Sequence, residues 1–399
     1  MGGATWGAGC GVGETRAVDT PLDRSDFPVT GHWNYLNHAG TAPPSGPAVE
    51  AMHRCAVESS EGASVAFPAH DTRAEEIRAA MARLMGVPTG DVAFVKNTTE
   101  GLGFVANGLT WAPGDRVVVP DLEFPSTLYP WLALRDQGVV VDLVPTSGPG
   151  RTLPVDAYAR VVAAGPAPRV VAASWVQFGR GWRTDLPALA QVCADAGALL
   201  CADIIQGLGV VPADLDAWGV DFAMADAHKW LLGPLGVGVL YVRGSVLDRL
   251  RPLEPGWASV AHREDWDNRE LVWAAGARRL EGGSANVTGI HAMGASVDLL
   301  LATGVDRVWA HVSALCERMR EGLAAGGVTV LSDGSAAGRS GIVTFSVDGV
   351  DPVLLSAALR AEGIVCAPRA GGVRASPHGY NTTDDIDALL AAVAAVTRS

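Results

Sequence analysis

Ala198-Leu-Leu-Cys-Ala-Asp203 is an apolar run that ends on a carboxylate, and it decides the fold of this 399-residue chain. Such a run predicts a fully buried parallel strand, and in open α/β sheets ligands bind at the carboxyl ends of the strands. A second short strand is predicted inside Phe222-Ala-Met-Ala-Asp-Ala-His-Lys229. We therefore expect the side chains of Asp203 and Lys229 to reach the same crevice.

An aspartate and a lysine in one crevice suit pyridoxal 5'-phosphate. The lysine amine forms a Schiff base with the cofactor aldehyde, and the acid keeps the pyridine nitrogen protonated. For an isolated pair, a surface lysine and a strand-end acid with satisfied hydrogen bonds are the more common interpretation. Gln206, three residues after Asp203, is a further candidate for this crevice.

Strand-like and helix-like segments alternate along most of the chain. The β-branched runs 116–119, 139–144 and 170–174 are separated by helical patterns, which favours a doubly wound, mainly parallel sheet. We expect an α/β protein with a loose tail at 1–28 that can pack on the second domain, a large domain at 29–265 and a smaller α+β domain at 266–399. Residues 29–46 are also placed so that they can pack on the smaller domain.

Three ordered motifs resemble the class V aminotransferase family of fold-type I pyridoxal enzymes. They start at Ser174-Trp-Val-Gln-Phe-Gly-Arg, Ala202-Asp-Ile-Ile-Gln-Gly and Asp226-Ala-His-Lys-Trp, and the resemblance extends from about Asn34 to Asp387. The family includes cysteine desulfurases, isopenicillin N epimerase, kynureninase-like enzymes and carbon–sulfur lyases. The resemblance implies a homodimer with shared active sites.

The resemblance assigns several residues to the cofactor. Thr98 and Thr99 follow a predicted strand and open a helix, where free N–H groups and the positive helix end favour an anion such as phosphate. A plain helix cap is the alternative, since Asn97 with Glu100 three residues later fits a capping box. By resemblance, Phe124 stacks on the pyridine ring, His228 helps to bind phosphate, and Ser284 reaches the phosphate of the partner subunit.

A second group of residues is assigned to the substrate, which the resemblance implies is an α-amino acid. Arg374 matches the arginine that binds the substrate carboxylate, with a structural salt bridge as the competing interpretation. Asn37 and His38 match a segment at the mouth of the site, although they also read as an Asn/Gly/Pro turn. Gln177 is a candidate for the cofactor phenolate or the substrate carboxylate.

Composition limits the other functions. The formal charge of −13 without a Lys/Arg run argues against nucleic acid or an anionic membrane as a partner. Six scattered cysteines without Cys-x-x-Cys spacing favour reduced thiols in a cytoplasmic protein, and no metal site is predicted. No apolar run approaches the ~18 residues of a spanning helix.

The reaction is the least determined part of the prediction. Cys366 is only eight residues before Arg374 and falls on a predicted strand, so we disfavour cysteine desulfurase chemistry. The resemblance favours a carbon–sulfur β-lyase acting on a cysteine S-conjugate in secondary metabolism, such as antibiotic biosynthesis. Epimerisation, transamination, decarboxylating oxidative deamination and a non-catalytic scaffold stay open. Asp226 stands where desulfurases carry a serine, and its charge would repel a phosphate. Either Asp226 pairs with an arginine, or the phosphate is held differently.

Overall fold

The computed structural model describes residues 20–146 and 152–398. The helices, in chain order, are α1 Gly46–Gly62, α2 Phe67–Met85, α3 Thr98–Gly108, α4 Pro125–Ala133, α5 Val155–Ala163, α6 Leu186–Ala196, α7 Val287–Thr303, α8 Val305–Ala325, α9 Pro352–Ala361 and α10 Thr383–Arg398. The strands are β1 Asn34–Tyr35, β2 Val92–Val95, β3 Arg116–Pro120, β4 Val140–Val144, β5 Val170–Ser174, β6 Leu199–Asp203, β7 Phe222–Asp226, β8 Gly238–Val242, β9 Thr329–Val330, β10 Val343–Ser346, β11 Ile364–Val365, β12 Ala367–Arg369 and β13 Gly372–Ala375.

The central sheet confirms the predicted α/β fold. Its strand order is β2-β8-β7-β6-β5-β3-β4, and β8 is the strand that runs antiparallel to its neighbours. The predicted strand β6 lies between β5 and β7, and every residue of β5 and β6 is buried. Helices cover both faces, so these strands are apolar on both sides rather than alternating.

The carboxyl ends of the parallel strands bring polar residues to one edge of the sheet. Ser174 ends β5, Asp203 ends β6 and Asp226 ends β7. The turn after β2 leads into α3, whose N-cap Asn97 accepts a hydrogen bond from the backbone N–H of Glu100. This capping box was predicted from the sequence, and it fixes where the helix starts.

A smaller antiparallel sheet, in the order β12-β13-β10-β9, forms in the C-terminal part of the chain. Strand β1 pairs in parallel with β11, so residues near Asn34 lie beside the C-terminal part. Strands β12 and β13 are joined by Ala370 and Gly371, both with positive φ (52° and 81°). Two residues in this conformation make a tight hairpin turn.

The packing bears on the predicted boundaries at two places. Residues 20–28 were assigned to a tail that can pack on the smaller domain, and in the structure Leu22 and Phe27 are buried, with the Phe27 ring stacked on Tyr380 at a centroid distance of 4.0 Å. The rest of that tail, 1–19, lies outside the described residues. Helix α7 was assigned to the smaller domain but packs on α1 and α2. We therefore propose a boundary near Gly304, whose φ of 86° separates α7 from α8.

In the described part of the chain, no single helix has the length and apolarity needed to cross a membrane. Helices α7 and α8 reach the required length and composition only when they are counted as a pair, and that pair is bent by 82°.

Candidate active site

A cavity of about 460 Å³ opens at the carboxyl ends of the central strands. Its lining includes most of the side chains predicted for the cofactor, namely Thr98, Thr99, Phe124, Asp203, Gln206, His228 and Lys229, together with Arg374. A larger groove of about 960 Å³ lies between the N-terminal segment and α10, but it contains none of the predicted site residues. Chemistry rather than size therefore identifies the candidate site.

Lys229 and Asp203 form the floor of the cavity, as predicted. The lysine side chain comes from the turn after β7 and is 9% exposed, and burial lowers the pKa of its amine, against the opposing effect of Asp203. Burial raises the pKa of Asp203, while the backbone N–H of Ile205 and the charge of Lys229 oppose that shift. A buried amine with a lowered pKa is more often neutral, which is the form that acts as a nucleophile or base.

Two residues that sequence reasoning missed lie beside Asp203 and Ser174. The hydroxyl of Thr127 donates to Oδ2 of Asp203 at 2.8 Å. Glu123 is buried and accepts hydrogen bonds from the backbone N–H and the hydroxyl of Ser174, which lines the cavity. Burial raises the pKa of Glu123 to about 7, and the nearby charge of Asp203 acts in the same direction. Glu123 lies in the turn after β3 and Thr127 in the first turn of α4, so their place beyond a buried strand was the available signal.

The start of α3 is arranged differently from the prediction. Thr98 lies at the helix N-terminus, but its backbone N–H and its hydroxyl both donate to Oδ1 of Asp226. Nδ1 of His228 lies 3.3 Å from the other carboxylate oxygen of Asp226. Asp226 therefore contacts Thr98 and His228, and not an arginine. The hydroxyl of Thr99 instead donates to Ser126 at 2.7 Å, so Thr99 and Ser126 are left for a phosphate.

Phe124 lies at the cavity wall above the lysine. Its ring centroid is 5.5 Å from Nζ of Lys229 and 5.3 Å from the ring of Phe178, which meets it edge-on. The Phe124 side chain is substantially exposed, so one face is available for a planar ring to stack on. A phenyl ring in this position cannot carry a proton.

Arg374 lies at the opposite end of the cavity and is 2% exposed. Its Nη1 donates to the carbonyl of Phe178 at 2.6 Å and its Nη2 donates to Oδ1 of Asn37 at 3.3 Å. Nε is buried without a hydrogen-bond partner, and burial lowers the pKa of the guanidinium to about 10. Among residues 20–146 and 152–398, no carboxylate pairs with it, so the alternative of a structural salt bridge is not supported.

Three residues predicted to bind substrate lie outside the cavity lining. His38 is fully buried, and its two ring nitrogens make hydrogen bonds to the carbonyl of Ser376 and the hydroxyl of Tyr380. Asn37 contacts Arg374, so it positions the arginine and does not face the cavity. Gln177 donates to a backbone carbonyl and accepts two backbone N–H groups within its own loop. Hydrogen bonds to other parts of the protein hold these three side chains away from the cavity.

Of the two remaining predicted residues, one lies inside the cavity and the other lies outside it. Gln206 lines the cavity and bridges the carbonyl of Ala39 and the indole N–H of Trp230. Ser284 is exposed in a neighbouring groove that shares Lys96 and Gly236 with the cavity. Ser284 therefore does not line the cofactor cavity of its own chain.

The cysteines of the described chain lie away from the cavity. Cys366 follows β11, is buried, and burial raises the pKa of its thiol to about 12. Five cysteines in residues 20–146 and 152–398 are buried and unpaired (Cys55, Cys193, Cys201, Cys316 and Cys366), and none lines the cavity. Cys10 lies outside the described residues.

The residues of this cavity fit pyridoxal 5'-phosphate at the floor and at the Arg374 end, and they fit it less well at the phosphate end. Lys229 and Asp203 supply the amine and the acid, and Phe124 supplies an aromatic wall. The unpartnered Nε of Arg374 leaves a buried cation ready for a carboxylate. At the phosphate end, Asp226 occupies part of the helix N-terminus, so the anion site is smaller than the sequence predicts.

Comparisons with known proteins place the chain in one family. The family model "Aminotransferase class-V" matches residues 34–389. A probable cysteine desulfurase from Methanothermobacter thermautotrophicus is 29% identical over 388 residues, covering 92% of this chain and 95% of that protein.

Two solved structures share the fold. The apo structure of a cysteine desulfurase from Thermococcus onnurineus superposes with a TM-score of 0.87 at 24% identity, covering 96% of this chain and 99% of that one. The cystine C-S lyase C-DES, in complex with its product cysteine persulfide, superposes with a TM-score of 0.83 at 24% identity, covering 92% and 99%.

Proposed function

This chain belongs to the class V aminotransferase family, and from that premise we propose that it is a pyridoxal 5'-phosphate-dependent lyase acting on a cysteine S-conjugate. The proposal rests on one observation, which is that the cavity has complementary groups on two opposite sides. A buried amine faces a buried acid at Lys229 and Asp203, and a buried guanidinium without a carboxylate partner lies opposite at Arg374. Together these groups suit the amino group, Cα and carboxylate of an α-amino acid.

The residues of the chain have separate tasks in this proposal. When bound, the cofactor supplies an electron sink for the pair left on Cα after its proton is removed. Lys229 removes that proton, and burial lowers the pKa of its amine toward the neutral form that accepts a proton. Arg374 fixes the substrate carboxylate, and Asn37 and the Phe178 carbonyl fix the arginine. Asp203, held by Thr127, would support the positive charge on the ring nitrogen.

Elimination needs only one proton carrier near Cα. The Cα proton passes to Lys229, a Cα=Cβ bond forms, and the Cβ–S bond breaks with its electron pair leaving on sulfur. Water then converts the three-carbon product to pyruvate and ammonium. Epimerisation needs a second proton carrier on the opposite face, where Phe124 offers none. This supports elimination over epimerisation.

Cysteine desulfurase activity is the second candidate, because the relative from Methanothermobacter thermautotrophicus carries that name. A desulfurase needs a cysteine thiolate that attacks the substrate sulfur. Cys366 is buried, its pKa is raised to about 12, and the tight turn at Ala370 and Gly371 leaves no long loop that could carry it into the cavity. These features support the lyase.

The test is to incubate holoenzyme with an S-alkyl cysteine and, separately, with its sulfoxide. The proposal expects pyruvate and a released sulfur product in equal amounts, with Lys229→Ala inactive. A second incubation with L-cysteine and a thiol reductant separates the two candidates, because a desulfurase forms alanine and sulfide there. The double variant Cys10→Ala/Cys366→Ala should keep the rate of pyruvate formation from the S-alkyl cysteine within about twofold, whereas a desulfurase would lose its alanine formation from L-cysteine. Alanine formed from L-cysteine, with no pyruvate from the S-alkyl cysteine, would overturn the proposal. Exchange of the Cα proton of the S-alkyl cysteine with solvent deuterium and no pyruvate would also overturn it.

We also propose the wider setting of the enzyme. The exposed position of Ser284 beside the cavity groove supports a homodimer in which this residue reaches the partner's cofactor. The five unpaired cysteines support a reducing, cytoplasmic location. The resemblance to lyases of secondary metabolism supports a place in that kind of pathway.

A further inference from the structure

We propose that Cys55, His70 and His291 form a zinc site that joins three helices, away from the active cavity. One ligand atom from each residue lies within 4.8 Å of the other two. None of the three residues lines the cavity around Lys229, and the proposed reaction uses none of them. The site does not depend on the proposed function.

Each ligand comes from a different helix. Cys55 lies on α1, His70 lies near the start of α2, and His291 lies in the second turn of α7. Helix α7 packs against both other helices, so the three side chains converge in one interface. Because His291 is more than 200 residues from His70 in the sequence, no local motif announces the site.

The His291 ring is the observation that points to a ligand. Its Nε2 is buried and has no hydrogen-bond partner. A buried polar atom without a partner is unfavourable, and a metal ion would satisfy it. The His291 ring also meets the ring of His70, a second candidate ligand, at a centroid distance of 5.0 Å.

The other two ligands are held in place by their neighbours. His70 is almost fully buried, and its Nε2 lies 3.3 Å from the hydroxyl of Ser59. The Cys55 sulfur is buried, with a weak contact to the Thr288 hydroxyl at 3.7 Å. Buried ligands lose little side-chain entropy on binding a metal.

Glu58 is the natural fourth ligand. It lies one helical turn after Cys55 on α1, and its Oε2 is 3.9 Å from Nδ1 of His70. The glutamate side chain is 49% exposed, so it can swing toward the site or leave the fourth position to water. A thiolate, two imidazoles and a carboxylate or water form a tetrahedral set that zinc accepts.

The present spacing is that of a slightly open site. With a Zn–S distance of about 2.3 Å and Zn–N distances of about 2.0–2.1 Å, tetrahedral ligand atoms lie roughly 3.5 Å apart. Small side-chain rotations close the remaining gap from 4.8 Å. A thiolate with imidazoles selects zinc over magnesium or calcium, which prefer oxygen ligands.

The site has a structural consequence for the cavity. Helix α7 starts after Asn286, whose side-chain amide donates to the carbonyl of Gly236 at 3.1 Å. Gly236 lines the cavity, so a metal that fixes α7 also fixes this edge of it. The adjacent Ser284 segment would be held by the same contact.

The test uses tag-free holoenzyme stripped of metal with a chelator and titrated with Co²⁺ as a probe for zinc. We expect one Co²⁺ per chain, with a thiolate-to-cobalt charge-transfer band and the visible bands of a tetrahedral ion. Cys55→Ser should abolish the charge-transfer band, and His291→Asn should weaken binding by at least about 100-fold. His53→Asn, on the exposed face of the same α1 helix, and Cys316→Ser, at another buried cysteine, should leave the spectrum unchanged.

Zn²⁺ should also raise the melting temperature of the wild-type holoenzyme but not that of His291→Asn, because a ligand stabilises only the state that binds it. Circular dichroism and gel filtration of each variant check folding, so a misfolded Cys55→Ser is replaced by the His291→Asn comparison. The proposal is overturned if the wild type gives no thiolate band at stoichiometric Co²⁺, or if both single variants bind the ion as the wild type does.

Discussion

The floor of the cavity and the start of α3 both place an aspartate against a threonine, but with opposite consequences. At the floor, Thr127 donates to Asp203, and the acid faces the Lys229 amine across the cavity. At the helix start, Thr98 donates to Asp226, and this acid lies where the sequence predicted a bound phosphate. The same pair of residue types builds a cofactor-binding group in one place and fills an anion site in the other.

The comparison teaches that the end of a strand predicts where an acid lies but not what it contacts. Asp203 and Asp226 end neighbouring strands β6 and β7, so both had to reach the same sheet edge. Their partners come from elements that are distant in sequence, as shown by the 128 residues between Thr98 and Asp226. The contacts, not the positions, separate the two roles.

Lys229→Ala tests the floor and has the largest expected effect. Loss of the amine removes the base for the Cα proton, so we expect kcat to fall by at least about 10³-fold. The measurement is the initial rate of pyruvate formation from an S-alkyl cysteine. Lys96→Ala is the matched control, since Lys96 lies at the cavity rim and pairs with Glu100. A Lys229→Ala enzyme that retains more than a tenth of the rate would contradict the assignment of the floor.

Arg374→Lys tests the substrate end with the charge retained. A lysine cannot make the forked contact of a guanidinium with a carboxylate, so kcat/KM should fall by about 100-fold, mainly through KM. The affinity for the cofactor should not change, which absorbance titration of the apoprotein measures. Arg318→Lys, at a surface ion pair with Asp387, is the control. An unchanged KM would show that this arginine serves the structure instead.

Asp226→Asn tests the helix start and should have a moderate effect. The amide oxygen can still accept from Thr98, but the negative charge is lost. If a phosphate binds beside this residue, the apoprotein should bind pyridoxal 5'-phosphate about tenfold more tightly. Absorbance titration gives the dissociation constant. Weaker binding would mean that the charged Asp226, through its contact with His228, organises the phosphate site rather than opposing it.

Glu123→Gln tests the buried acid beside the floor, and its expected effect appears in stability and not in catalysis. Burial raises the pKa of Glu123 from 4.5 to about 7, so its stabilising contribution is complete below about pH 4.5 and is lost as pH rises through 7. Glutamine does not titrate. We expect the variant to gain on the order of 3 kcal/mol relative to wild type between pH 5 and pH 8.

Urea unfolding of both apoproteins at the two pH values measures the difference. The comparison of the two chains removes the contributions of Asp203 and other groups that titrate in both. Equal pH dependence in wild type and variant would place the ordinary pKa of a glutamate at residue 123.

The sequence predicted the parts of the molecule that depend on local pattern. Strand β6 and the two residues Asp203 and Lys229 follow from an apolar run and from the rule that ligands bind at strand ends. The capping box at Asn97 also follows from its spacing to Glu100. The mainly parallel sheet is confirmed by the observed strand order.

The failures come from partners that no local pattern reveals. His38 was predicted to bind substrate, but its ring nitrogens make hydrogen bonds to residues more than 330 positions away in the sequence. Gln177 accepts two backbone N–H groups of its own loop and donates to the carbonyl of Leu122, and the residue type alone does not predict these contacts. The buried tail residues Leu22 and Phe27 were hidden inside a Gly-rich stretch without periodicity, where two apolar side chains give too weak a signal.

The contact between Arg374 and Asn37 spans 337 residues. During synthesis, the lysine half of the cavity is encoded by a continuous middle portion of the chain and can assemble while the ribosome is still translating. The carboxylate-binding half needs the first and last portions together, because β1 pairs with β11. A nascent chain that stops short of residue 374 therefore has the lysine and its aspartate but lacks the group that would recognise a substrate carboxylate.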